Sequence, residues 1–98
     1  MTANFKPNVL KKRYALRLFV AGNATNSRIA RENLEQLLAR HPEHEFEVEI
    51  VDLNVQPEFA LDQGVFISPA LQILEPSSGG IVYGNLSQKE VLEKVLNL

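Results

Sequence analysis

Residues 13–38 read RYALRLFVAGNATNSRIARENLEQLL, and this stretch decides the fold. Apolar side chains occupy both faces of a predicted strand over residues 14–21, which is typical of a central strand that is covered on both sides. Gly22 and a short polar turn follow. A helix then begins at about Asn26 or Ser27 and runs to about Arg40, just before Pro42. The stretch predicts the strand, turn and helix that open an α/β domain.

Length and composition indicate one small domain. The chain has 98 residues, of which 45% are hydrophobic, and it contains no cysteine. Residues 1–12 show little pattern, so we expect a flexible N-terminal arm followed by a single domain over residues 13–98. No apolar run has the length of a signal peptide or a membrane span. A cytoplasmic protein without membrane contact is the expectation.

The charges divide unevenly along the chain. Residues 1–40 carry eight basic and two acidic side chains, a net charge of +6. Residues 41–98 carry two basic and ten acidic side chains, a net charge of -8. Two explanations remain open. The asymmetry could serve self-association as a dimer or tetramer, or a charged protein partner, or the two sets could simply mix in space. Nucleic acid is not expected, because no stacking aromatics interleave with the basic residues.

The middle of the chain predicts a second strand, a short helix and two more strands. Residues 45–50 read EFEVEI, and this alternation predicts a sheet-edge strand with Phe46, Val48 and Ile50 inward. A short helix begins near Pro57 and ends before Gly64. Because Pro69 cannot donate to a strand ladder, it should begin the third strand. A turn over residues 75–80 leads into a fourth strand, residues 81–83.

The last predicted helix has clear start signals. Ser87 and Glu90 have the spacing of a capping box, and Leu86 with Val91 has the spacing of a hydrophobic staple. The helix should run for about three turns towards Leu98. The residues expected on its buried face are Val91, Leu92, Val95 and Leu96.

The element order β-α-β-α-β-β-α, with a proline at the head of strand three, resembles the thioredoxin-like fold. Proteins of that fold carry Cys-x-x-Cys in the turn that here reads Asn23-Ala24-Thr25-Asn26. Without a thiol, disulfide exchange is excluded. His41 and His44 are expected to be exposed turn residues rather than metal ligands, and there is no glycine-rich phosphate loop. We therefore expect a binding protein, with no enzymatic activity, no metal and no cofactor.

Several short motifs closely resemble the KaiB family of the bacterial circadian clock. They are LFVAGN at 18–23, Asn26-Ser27, VDL at 51–53, Gln56-Pro57, SPAL at 68–71 and GNLS at 84–87. The resemblance spans roughly residues 13–98. It implies a non-enzymatic regulator that binds a KaiC-like ATPase, with a KaiA-like protein or a histidine kinase as further partners. It also implies an alternative to the thioredoxin-like fold, a resting form with the same N-terminal half and a rearranged C-terminal half.

The resemblance also implies particular site residues. It places the partner contact along residues 54–62 and the start of strand three, where Glu58 and Asp62 match positions that the family uses. Phe59 and Phe66 are candidate apolar anchors, although either can equally belong to the core. The balance between the two folds is expected to depend on Gly84, Asn85, Ser87 and Pro69. In the thioredoxin-like state we expect a cis Ser68–Pro69 peptide bond.

The chain also departs from the clock proteins of the family. Its loop over residues 75–80 lacks their basic, proline-rich character, and Gly64 stands where a lysine is usual. These differences favour a non-cyanobacterial member that works with its own KaiC homologue in stress or energy signalling. Two alternatives remain open. One is the equivalent of a kinase sensor domain, and the other is a degenerate glutaredoxin relative that binds a small thiol beside Gly22 and Pro69.

Overall fold

The strands and helices of the domain follow the predicted order. A computed structural model describes residues 11–77 and 80–98. Its elements are β1 (Arg13–Val20), α1 (Thr25–Ala39), β2 (Glu45–Asp52), α2 (Pro57–Asp62), β3 (Ala70–Glu75), β4 (Gly80–Tyr83) and α3 (Lys89–Leu96). The thioredoxin-like order is therefore confirmed.

The sheet is centred on β1. Its strand order is β2-β1-β3-β4, with β1 and β2 parallel and the other neighbours antiparallel. This arrangement places β2 at an edge, as the alternation of its sequence predicts. Phe46 and Val48 are half-buried, and Ile50 lies on the same face beside Leu34 and Leu38 of α1, as predicted, but it remains 44% exposed. An edge strand has a neighbour on one side only, and a helix over the sheet does not reach all of its side chains.

Alternate residues of β1 build two separate cores. Tyr14, Leu16, Leu18 and Val20 pack with the buried faces of α1 and α3. Phe19 points to the opposite face, where it packs with Ala60 of α2. Because successive side chains of a strand point to opposite faces, α1 and α3 cover one side of the sheet and α2 covers the other. The two-sided apolar character of this strand is the sequence signal for that arrangement.

Helix α3 buries a narrower face than the sequence predicts. Leu92 and Leu96 are buried, whereas Val91 and Val95 are 46% and 47% exposed. The helix has 8 residues, and it contacts the core through a single row of side chains at i and i+4. The predicted burial of the two valines is therefore wrong.

The start of α3 also differs from the prediction. The helix begins at Lys89, and its N-cap residue is Gln88, which makes no side-chain capping bond within the described part of the chain. Leu86 has φ of +63°, and its side chain lies in the core formed with α1 and α3. The capping box at Ser87 and the staple between Leu86 and exposed Val91 are therefore wrong. The turn rotates Leu86 towards Leu92 and Leu96 instead.

The two oppositely charged parts of the chain mix in space. Lys11 lies 3.4 Å from Glu45, Arg13 lies 3.6 Å from Glu47, and Arg40 lies 3.6 Å from Glu93. Of the predicted arm, residues 1–10 lie outside the described residues. Within the described ranges, no helix is long and apolar enough to cross a membrane.

Candidate partner-binding site

The turn that carries the thiols in redox proteins is built here from backbone and amide groups. Gly22 has φ of +54°, and an added Cβ would lie 3.1 Å from Asn54 Nδ2. The Gly22 amide donates to Asp52 Oδ1 at 3.1 Å, and the Ala21 amide donates to Ser27 Oγ at 2.9 Å. These bonds fix the turn to the last residue of β2 and to the first turn of α1. With no thiol, it can offer hydrogen bonds but no redox chemistry.

Helix α2 is anchored to the sheet by one side of its surface. Phe59 is half-buried and stacks on Phe19 with ring centroids 6.2 Å apart, and Ala60 is buried. Pro57 occupies the first turn, where its missing amide costs no hydrogen bond. Of the two candidate anchors, Phe59 therefore belongs to the packing between α2 and the sheet.

The other side of α2 and the loop after it expose an apolar surface. Phe66 is 73% exposed and Ile67 is 64% exposed, while Val65 before them is buried. Leu61 in the helix is 57% exposed, and Tyr83 of β4 approaches this loop with its hydroxyl 3.5 Å from the Gly64 carbonyl. Exposed Glu58 and Asp62 lie on the same helix. We call this set, Glu58, Leu61, Asp62, Phe66, Ile67 and Tyr83, the α2 surface.

The residues predicted to set the fold balance lie together. Gly84 has φ of +105°, and its amide donates to the Pro69 carbonyl at 2.9 Å. The Asn85 side chain accepts the Ser87 amide at 3.1 Å and contacts Asn26 Oδ1 through Nδ2 at 3.4 Å. The Ser68–Pro69 bond is cis, as predicted. The junction before α3 is therefore bonded to Pro69, directly before β3, and to helix α1.

The prediction that His41 and His44 are exposed turn residues is wrong, because their side chains are only 17% and 11% exposed. His41 Nε2 lies 3.3 Å from Glu93 of α3, and His44 Nδ1 accepts the Lys12 amide at 3.1 Å. A hydrogen bond from its own backbone and the nearby histidines lower the pKa of Glu43. Residues 11–77 and 80–98 contain no group of three or more potential ligands arranged to hold a metal ion.

Three side chains near the site have no motif that would single them out in the sequence. Arg17 of β1 lies beneath α2, with its guanidinium carbon 4.8 Å from the Phe59 ring centre. Gln72 of β3 is 7% exposed and bonds both Arg17 and Gln63. For Arg17 and Gln72 the sequence signal is a polar residue inside a strand pattern, and it identifies no partner; Gln63, at the C-cap of α2, has no such signal.

The fold and the cysteine-free turn define a thioredoxin-like domain without a redox centre. A family model described as the KaiB domain matches residues 17–98. The chain belongs to the KaiB family. It is 31% identical over 81 residues to the circadian clock oscillator protein KaiB of Trichodesmium erythraeum, covering 83% of this chain and 78% of that protein. It is 31% identical over 83 residues to the protein of the same name from Picosynechococcus sp., covering 85% and 80%.

Solved structures agree on the fold. The N-terminal domain of Synechococcus elongatus SasA superposes with a TM-score of 0.72 at 18% identity, over 93% of this chain and 87% of that one. Mitochondrial thioredoxin 3 from Saccharomyces cerevisiae gives a TM-score of 0.67 at 15% identity, over 92% and 83%. At these identities the likeness concerns architecture alone.

Proposed function

We propose that this chain is a non-enzymatic regulator in circadian or stress signalling that binds a KaiC-family ATPase through the α2 surface. Membership of the KaiB family supports the general role, since the curated relatives are circadian clock oscillator proteins. The absence of cysteine removes the thiol chemistry of the wider fold.

The observation that carries the proposal is the exposure of Phe66 and Ile67 in the loop directly after α2, the helix that carries the exposed carboxylates Glu58 and Asp62. Phe66 and Ile67 are adjacent in the chain and more than 60% exposed, although large apolar side chains are usually buried. Contiguous exposed apolar groups with a polar rim are typical of protein-binding surfaces. Glu58 and Asp62 lie one helical turn apart on α2, so the complementary partner surface should be apolar with basic residues at its rim.

Titration of the KaiC-family ATPase from the same genome, with ATP and with ADP, tests this proposal. Reversing both charges by Glu58→Lys and Asp62→Lys should weaken binding at least about tenfold, because two favourable charge contacts become repulsive. Glu32→Lys is the matched control, since Glu32 is an exposed carboxylate on α1, across the sheet. No binding of the parent chain at micromolar concentration in either nucleotide state would reject the proposal.

We also propose that Gly84, Asn85, Ser87 and Pro69 set the stability of this arrangement relative to a form with a rearranged C-terminal half. The bond from the Gly84 amide to the Pro69 carbonyl joins the β4–α3 junction to the rest of the domain, and the bond from the Ser87 amide to the Asn85 side chain fixes the turn within the junction. A change at Gly84 should therefore alter partner binding, although Gly84 itself is not part of the α2 surface. Size-exclusion mass and backbone chemical shifts of residues 50–98 report whether the arrangement has changed.

A further inference from the structure

The Arg17 side chain of β1 joins α2 to β2 and β3 as well as to its own strand. Its Nε donates to Glu49 Oε1 of β2 at 2.8 Å, and its Nη1 donates to Gln72 Oε1 of β3 at 2.9 Å. The same Nη1 lies 3.5 Å from Gln63 Oε1, at the C-cap of α2. The guanidinium carbon lies 4.8 Å from the centre of the Phe59 ring.

Burial separates this group from an ordinary surface ion pair. The Arg17 side chain is 16% exposed, whereas Arg13, on the same face of the same strand, is 63% exposed. Arg13 pairs with Glu47 and Glu75 at 3.6 Å, and such exposed pairs contribute little. A cation as buried as Arg17 needs its partners, and a planar guanidinium can serve several of them in fixed directions.

Helix α2 depends on such contacts. It has 6 residues, and Gln56 at its N-cap makes no side-chain capping bond within the described part of the chain. A helix of this length is not stable by itself, so tertiary contacts set its orientation. The second core supplies Phe59 and Ala60 on one side, and the Arg17 network holds the C-terminal end through Gln63.

We infer that Arg17 is a positioning residue, one that orients α2 and thereby the α2 surface without contacting the partner. The inference rests on the proposed function for its binding consequence, but not for its structural part. Removing the guanidinium should release the C-terminal end of α2 while the β1–α1–β2 unit stays intact. The partner surface would then keep its side chains and lose their fixed arrangement.

Amide hydrogen exchange of the free protein tests the structural part. In Arg17→Met, the amides of Ala60, Gln63 and Val65, all bonded around α2, should exchange about tenfold faster, because hydrogen bonds to a charged group are lost. Amides within α1 should change much less. Arg13→Met is the matched control and should leave α2 unchanged. Unchanged α2 exchange in Arg17→Met, or an equal acceleration in α1, would overturn the inference.

Arg17→Lys separates charge from geometry. Lysine keeps the positive charge near Glu49 but cannot bond Glu49 and Gln72 through one rigid fork. We expect the α2 amides to exchange faster in this variant than in the parent. Exchange as slow as in the parent would show that a positive charge is sufficient to hold α2 and that the guanidinium geometry is not needed. In the titration with the KaiC-family ATPase, Arg17→Met should bind about tenfold more weakly than the parent. If the parent itself does not bind, the proposed function fails while the exchange result still decides the role of Arg17.

Discussion

Asn33 of α1 donates from its side-chain amide to the main-chain oxygen of Asn85 at 2.9 Å, across 52 residues of sequence. This bond joins the first helix to the junction that precedes the last one. The Asn85 side chain extends the connection to Asn26 at 3.4 Å. The β4–α3 junction is therefore fixed by the N-terminal half of the chain.

Replacing Asn33 by Ala should lower the free energy of unfolding by about 1 kcal/mol, because a partly buried carbonyl loses its donor. Ser87→Ala is the local control. Its exposed side chain is not used as a helix cap, so its effect should stay within about 0.5 kcal/mol. Urea unfolding measures both changes, and an equal loss in the two variants would contradict the assignment.

Gly84→Ala should destabilise this arrangement by about 1–2 kcal/mol through backbone strain alone. Gly84 has φ of +105°, and no atom lies within 4 Å of an added Cβ, so no clash contributes. Gly80→Ala is the matched control, because its φ lies outside the left-handed region and its Cβ would make an ordinary 3.5 Å contact with Ile73. Thermal unfolding compares the two. A neutral Gly84→Ala would show that the junction relaxes without cost.

Tyr14→Phe should remove a hydrogen bond, and with it the contribution of the Tyr14 hydroxyl to the pH dependence of stability. The buried Tyr14 hydroxyl donates to the Leu96 carbonyl at the end of α3 at 2.8 Å. Its loss should cost about 1 kcal/mol near neutral pH. Burial, and secondarily the charge of Glu43, raises the pKa of Tyr14 in the folded protein.

The sign of the pH dependence follows from that raised pKa. Above about pH 10 the unfolded chain releases the tyrosine proton while the folded protein keeps it, so this contribution to stability falls as pH rises. Urea unfolding between about pH 9 and 11 should show the stability gap between parent and Tyr14→Phe narrowing. Tyr83→Phe, at a 48% exposed position, serves as the control. A gap that stays constant with pH would argue against the raised pKa.

The two phenylalanines near α2 should respond in opposite ways. Phe66→Ala should leave the free energy of unfolding almost unchanged, because the side chain is 73% exposed, yet it should weaken partner binding. Phe59→Ala should cost about 2 kcal/mol, since the ring packs on Phe19 and against the Arg17 guanidinium. Chemical unfolding and titration of the KaiC-family ATPase together separate the roles. Normal binding by a folded Phe66→Ala protein would remove Phe66 from the α2 surface.

The sequence predicted the strands and helices whose patterns extend over several consecutive residues. The two-sided apolar pattern of β1, the alternation in β2 and Pro57 at the start of α2 each identified an element. From the sequence alone, the motifs around Gly22 and Gly84 identified the family, and the absence of cysteine from the turn excluded disulfide exchange. These patterns arise from backbone geometry and side-chain chemistry, and both can be recognised from consecutive residues.

Only the tertiary structure decided which apolar residues are covered. Short elements such as α2 and α3 have too few turns for periodicity to determine their buried face, and burial depends on which neighbour reaches each side chain. Thus Phe59 is packed while Phe66 is exposed, and Leu92 is buried while Val91 is exposed. The contacts of Arg17 with Gln63 and Gln72 likewise join residues 46 and 55 positions apart, and only the fold brings them together.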